Sequence, residues 1–110
     1  MYEVKEGSKI LSNGTKLTTF TREVVNGNIL DVEAGTTGYK GGGTGRGSRT
    51  YFRISDAACT DMDVHVLRNR LGIAIGFEVI LGGDCELETI IRALKFITKV
   101  LEDESKEVYD

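Results

Sequence analysis

Residues 82–102 read GGDCELETIIRALKFITKVLE, and this stretch decides the fold. After Gly82-Gly83, the apolar residues Leu87, Ile90, Ile91, Leu94, Ile97 and Leu101 recur at the spacing of one helical face, while Arg92, Lys95, Lys99 and Glu102 fall elsewhere. Asp84 is placed to cap the first turn, and Glu86 and Glu88 complement the positive end of the helix dipole. The spacing predicts a helix over about 84–104. Its far end sets Glu102, Asp103 and Glu104 against the negative end of the dipole, so fraying towards Tyr109 is expected. Ala93, Phe96 and Val100 flank the main stripe, which leaves two arrangements open. The helix either sits deep against a curved sheet or keeps a surface for self-association, as in a homodimer, or for a partner.

Upstream of the helix the period is that of strands. Ile73 to Leu81 is the most hydrophobic segment and reads as a central strand covered on both sides, with Gly76 marking a bulge or close packing. In Asp61 to Leu67, Met62, Val64 and Val66 alternate with Asp61, Asp63 and His65, the pattern of a half-buried strand. Arg49 to Ser55 is a further strand, with Tyr51 on one face and Phe52 and Ile54 on the other. Lys16 to Val25 and Asn28 to Ala34 flank Asn26-Gly27, a strong hairpin signal. A two-residue turn there sets Arg22 opposite Asp31 and Val24 opposite Ile29, and avoids facing Glu23 against Asp31. Residues 1–14 alternate weakly and read as short edge strands or an ordered arm. Consecutive strands followed by one helix predict an α+β fold. The expected form is an antiparallel β-sheet of about five to six strands, with one long C-terminal α-helix packed on one face, in a single domain over 1–110.

Composition narrows the function. The 110 residues carry 14 Lys+Arg against 17 Asp+Glu, a net charge of −3, and 40% hydrophobic residues, enough for one modest core and too little for a deep substrate cleft. The acidic balance argues against a dedicated duplex nucleic-acid binder. No apolar run reaches the roughly 18 residues of a membrane span, and the opening Met1-Tyr2-Glu3-Val4 is no signal peptide, so a cytoplasmic protein is expected.

Residues 35–48 form a loop holding seven of the 14 glycines. It fails the phosphate-loop test, because Gly42 and Gly47 are followed by Ser48-Arg49, without the required lysine. It fails the dinucleotide test as well, since it joins two strands and offers no helix N-terminus. What remains is charge. Lys40, Arg46, Arg49 and Arg53 lie in an acid-free stretch from Gly35 to Ser55, which leaves −7 on the rest of the chain. With Tyr39, Tyr51 and Phe52 nearby, the loop suits either an acidic protein surface gripped through arginine or a nucleic acid or phosphate held by stacking and charge. A plain solvated connection explains the same residues.

Two cysteines and the one histidine make a second candidate. If Cys59 to Leu67 is extended, Cys59, Asp61, Asp63 and His65 share a face. Cys85 at the helix start could then complete a zinc set of Cys59, His65 and Cys85 with Asp61, Asp63 or Asp84. An ordinary polar strand face explains the aspartates equally. A Cys85 nucleophile with His65 as base is disfavoured by the acids Asp84, Glu86 and Glu88 around the thiol.

Two segments, one running from EAGTTGY at 33–39 through RTYFRI at 49–54 and the other GGDCELE at 82–88, resemble those of small, largely uncharacterised proteins from mobile elements and phages of Gram-positive bacteria. Some of that group are anti-CRISPR inhibitors. The resemblance implies a role in conflict between element and host and transfers no residue roles. Together with the charge pattern, it leads to the expectation of a non-enzymatic inhibitor that binds a host protein such as a CRISPR effector nuclease. The candidate contacts are Tyr39, Lys40, Arg46 and Arg49 in the loop and Asp61, Asp63, Glu102, Asp103 and Glu104 outside it. A nucleic-acid or phosphate binder and a small zinc domain are the alternatives.

Overall fold

The computed structural model describes residues 3–39 and 48–105. Six antiparallel strands precede one helix: β1 (Lys5–Ile10), β2 (Lys16–Val25), β3 (Ile29–Thr36), β4 (Thr50–Ala58), β5 (Asp63–Arg68), β6 (Ala74–Ile80) and α1 (Asp84–Ser105). The fold is α+β, as the pattern predicts. The strands divide, however, into a sheet of order β1-β2-β3-β4 and a separate β5-β6 hairpin, and the helix lies on the larger sheet.

The β2–β3 register differs from the two-residue expectation. Asn26, Gly27 and Asn28 together form the connection, so Val25 pairs with Ile29, Val24 with Leu30 and Glu23 with Asp31. Apolar patterning is the reason. This register puts Val24, Leu30, Val32 and Ala34 on the helix side, where all four are fully buried. A slip by one residue would turn one strand's apolar set to solvent, at roughly 1.5–3 kcal/mol for each large side chain. The like-charge pair Glu23–Asp31 costs only about 0.2–1 kcal/mol. The third residue also holds the turn to the helix. The Asn28 amide donates to Thr60 Oγ1 at 2.9 Å and Thr89 Oγ1 at 3.0 Å, while Arg92 donates to the Val25 carbonyl at 3.0 Å. Gly27 leaves room for this approach, since a Cβ there would lie 2.9 Å from Cys85 Sγ and the thiol would have to shift.

The helix begins and ends close to its predicted limits but is rotated from the predicted face. Ala93, Phe96, Ile97 and Val100 enter the core with Val24, Leu30, Val32 and Ala34, while Leu87, Ile91 and Leu94 of the expected inner stripe stay 44–59% exposed. Thr89 and Glu86 fix this rotation. Thr89 is fully buried on Asn28. The Glu86 carboxylate, also buried, accepts from the Gly82 N–H at 2.9 Å and the Asp61 N–H at 2.7 Å, tying the first helical turn to both ends of the hairpin.

The segment expected to be a central strand is an exposed one. Every residue of β5 and of β6 is exposed, because the two strands pair only with each other and project from the sheet. The irregularity expected near Gly76 is present: Leu67 pairs with Gly76 and Arg68 with Ala74, so Ile75 is extra.

Candidate functional site

The neck of the glycine loop is closed by short contacts between β3 and β4. The Thr37 N–H donates to the Arg49 carbonyl at 3.1 Å, and the Arg49 N–H donates back to Thr37 Oγ1 at 3.0 Å. The Thr36 and Thr50 hydroxyls lie 3.0 Å apart, and Gly38, at φ 82°, donates its N–H to Thr36 Oγ1. This neck stands over the last turns of α1. Tyr39, Thr36 and Ser48 share one depression with Leu101 and Ser105, and Thr36 and Thr37 share the adjoining one with Asp103 and Glu104. Tyr39 and Arg49 are therefore brought to the same end of the molecule as Glu102, Asp103 and Glu104. The Lys99 ammonium meets Asp103 there at 3.0 Å. Lys40 and Arg46 lie outside the described residues.

The other two acids are placed elsewhere. Asp61 is bonded to Glu86 at the opposite end of the helix, about 24 Å from Glu102 at the helical rise of 1.5 Å per residue. Asp63 lies on the hairpin and pairs with His65, whose Nε2 is 2.9 Å from its carboxylate.

The zinc set does not assemble. Cys59 adopts φ 58° and residues 59–62 are not a strand, which breaks the alternation that would align Cys59 with Asp61, Asp63 and His65. Cys85 sits against Gly27, on the turn between β2 and β3. Among the described residues, no three His, Cys, Asp or Glu side chains are grouped to hold a metal ion. No helix among them is long and apolar enough to cross a membrane.

The sheet face away from the helix carries a polar cluster that the sequence reading did not identify. Arg53 bridges Asp31 at 3.0 Å and Glu33 at 3.1 Å, and Glu33 also accepts from Thr19 at 2.7 Å and from the Tyr51 hydroxyl at 3.4 Å. The available signal is the i, i+2 spacing of Asp31 and Glu33, which puts both on one face. Arg53, assigned by sequence to the cationic stretch, is thus committed within the sheet. Burial alone would raise the Glu33 carboxyl, but the hydrogen bonds from Thr19 and Arg53 and the Arg53 charge outweigh it and hold Glu33 below its ordinary 4.5. With the folded value below the unfolded one, this contribution to stability is present above about pH 4.5 and is lost as pH falls through the folded value. The wild-type urea midpoint should therefore fall more steeply on acidification below that pH than the midpoint of Glu33→Gln. Parallel curves would contradict this role.

Set beside known protein families, curated proteins and solved structures, the chain matches none of them.

Proposed function

We propose that this chain is a non-enzymatic protein-interaction module, an inhibitor from a mobile element that docks on a host defence nuclease of the CRISPR-effector type. The observation that carries the reading is the convergence of Tyr39 and Arg49 with Glu102, Asp103 and Glu104 at one end of the molecule. An exposed aromatic and an arginine are the side chains that anchor protein contacts, and Tyr39 is 54% exposed. Beside them, α1 ends in three acids with no basic residue in its last turn, so its negative dipole end is reinforced. Such effectors hold nucleic acid in positively charged channels, and an acidic end is steered towards a channel of that sign. The resemblance of segments 33–39, 49–54 and 82–88 to mobile-element proteins supports the same target class.

The test is binding to a panel of CRISPR effectors together with inhibition of their cleavage. Glu102→Lys, Asp103→Lys and Glu104→Lys combined should weaken association about tenfold or more, with most of the loss at low salt. Arg49→Glu should weaken it independently. Asp61→Asn with Asp63→Asn, at the far end of the helix, should leave it near wild type. No association and no inhibition across the panel would overturn the proposal.

A further inference from the structure

The larger sheet has two outer edges, β1 and β4, and among the described residues they differ in how they are guarded. The bond from the Thr37 N–H to the Arg49 carbonyl fixes the phase of the β3–β4 ladder. Bonded pairs then recur at Gly35–Tyr51, Glu33–Arg53 and Asp31–Ser55. The backbone N–H and C=O groups of Thr50, Phe52 and Ile54 therefore point away from β3, to the open side. Native sheets block such edges with charged side chains, proline or bulges. β1 carries Lys5, Glu6 and Lys9. Residues 50–54 of β4 carry one charge, Arg53, which is drawn inward onto Asp31 and Glu33, and the register shift of β4 lies beyond them, past Asp56. A groove of about 520 Å³ runs along this unguarded edge, and residues 50–54 all line it. Successive side chains of a strand point to opposite faces, so a hollow that touches all of them lies beside the strand and not over one face. Its far wall is the hairpin, with Val64, Phe77 and Val79.

We infer that this edge takes up an extended segment of a partner protein as a fifth strand against β4. The unpaired backbone decides the class of occupant. A row of alternating N–H and C=O groups at strand spacing is complemented in register by another extended backbone, which supplies affinity, while alternate side chains supply specificity. Phe52 and Ile54 are paired with Ala34 and Val32 and share their side of the sheet. Apolar side chains of the segment on that side enter the groove between Phe52 and the hairpin. Both rings are available to them: Phe52 is 44% and Phe77 60% exposed, with 6.3 Å between centroids. On the other side the segment lies beside Tyr51 and Arg53 and is polar. The groove is also continuous with the proposed contact, because Thr50 lines both it and the depression shared by Tyr39 and Leu101. The inference rests on the chain being an interaction module and is independent of which protein the partner is.

The probe is a capped seven-residue peptide of alternating threonine and valine, titrated to millimolar concentration into the full chain and followed by NMR. In the free chain the Phe52 and Ile54 amides should exchange faster than those of Tyr51 and Arg53, and with the peptide bound they should slow about tenfold or more. A strand turns alternate N–H groups to opposite sides. Of two further probes, one N-methylated at its valines and one at its threonines, one should therefore lose binding and the other keep it. Phe77→Asp should weaken binding about tenfold or more, whereas Glu78→Lys, on the opposite face of β6, should not. Circular dichroism establishes that each variant is folded, and Val79→Ser replaces Phe77→Asp if that one is not. No binding at millimolar peptide, protection of β1 in place of β4, two methylated probes that behave alike, or a groove variant that binds as wild type would each overturn the inference. The peptide readout involves no nuclease, so failure here is distinguishable from failure of the proposed function.

Discussion

Phe96→Ala lowers the unfolding free energy by about 3–5 kcal/mol, whereas Leu94→Ala, two residues earlier, changes it by less than about 0.5 kcal/mol. The difference follows from the rotation of α1. Phe96 is 9% exposed and packs in the cluster of Val24, Leu30, Val32, Ala93, Ile97 and Val100, with the Arg22 guanidinium 5.9 Å from its ring centroid. Truncation there removes a large buried ring and opens a space bounded by rigid sheet backbone, which relaxes little. Leu94 is half-exposed on the other side of the helix and leaves no cavity. Urea unfolding measures both. Equal losses at the two positions would mean that the helix faces the sheet as its 87, 91, 94 spacing suggests, contrary to the structure.

Gly35→Ala is expected to cost about 1–3 kcal/mol, the range for forcing volume into a packed interior. Gly35 lies in β3 opposite Thr19 of β2 and Tyr51 of β4. A Cβ at this position would collide with the Thr18 carbonyl oxygen and sit 3.0 Å from Thr19 Cγ2. The obstruction is backbone in the middle of a ladder, so it cannot swing aside as a side-chain end would. Gly7→Ala is the control. It lies on the outer strand β1, where a Cβ would meet only Thr19 Oγ1 at an ordinary 3.6 Å, and should stay within about 0.5 kcal/mol of wild type. A Gly35→Ala midpoint equal to that of Gly7→Ala would contradict the close β2–β3 approach.

The elements were legible in the sequence because each had a period of its own. Alternation marked the strands, and 3.6-residue spacing after Gly82-Gly83 marked the helix. Which face of each element is covered was not legible, because α1 is apolar over more than half its circumference. Both the 87, 91, 94 stripe and the 93, 96, 97, 100 stripe satisfy a helical period, and the polar contacts of Thr89 with Asn28 and of Glu86 with Gly82 and Asp61 settle the choice. The hydrophobic run 73–81 was misplaced for a related reason. Apolarity announces burial without naming what covers the strand, and every residue of β6 is exposed among the described residues. At the candidate contact, the loop and the helix end could each be singled out by composition. That the neck of the loop meets the helix end depends on β3 and α1 ending, and β4 beginning, on one side of the sheet, a fact of topology. The zinc set does not assemble because the backbone turns at Cys59 and Cys85 lies against Gly27, placements that no residue type announces.

The division of this chain into a packed sheet and helix and a hairpin that pairs only with itself is tested most directly by amide hydrogen exchange on the full chain. Protection of residues 17–34 should far exceed that of residues 63–80. Equal protection of both regions would contradict it, since the hairpin would then be held as firmly as the sheet.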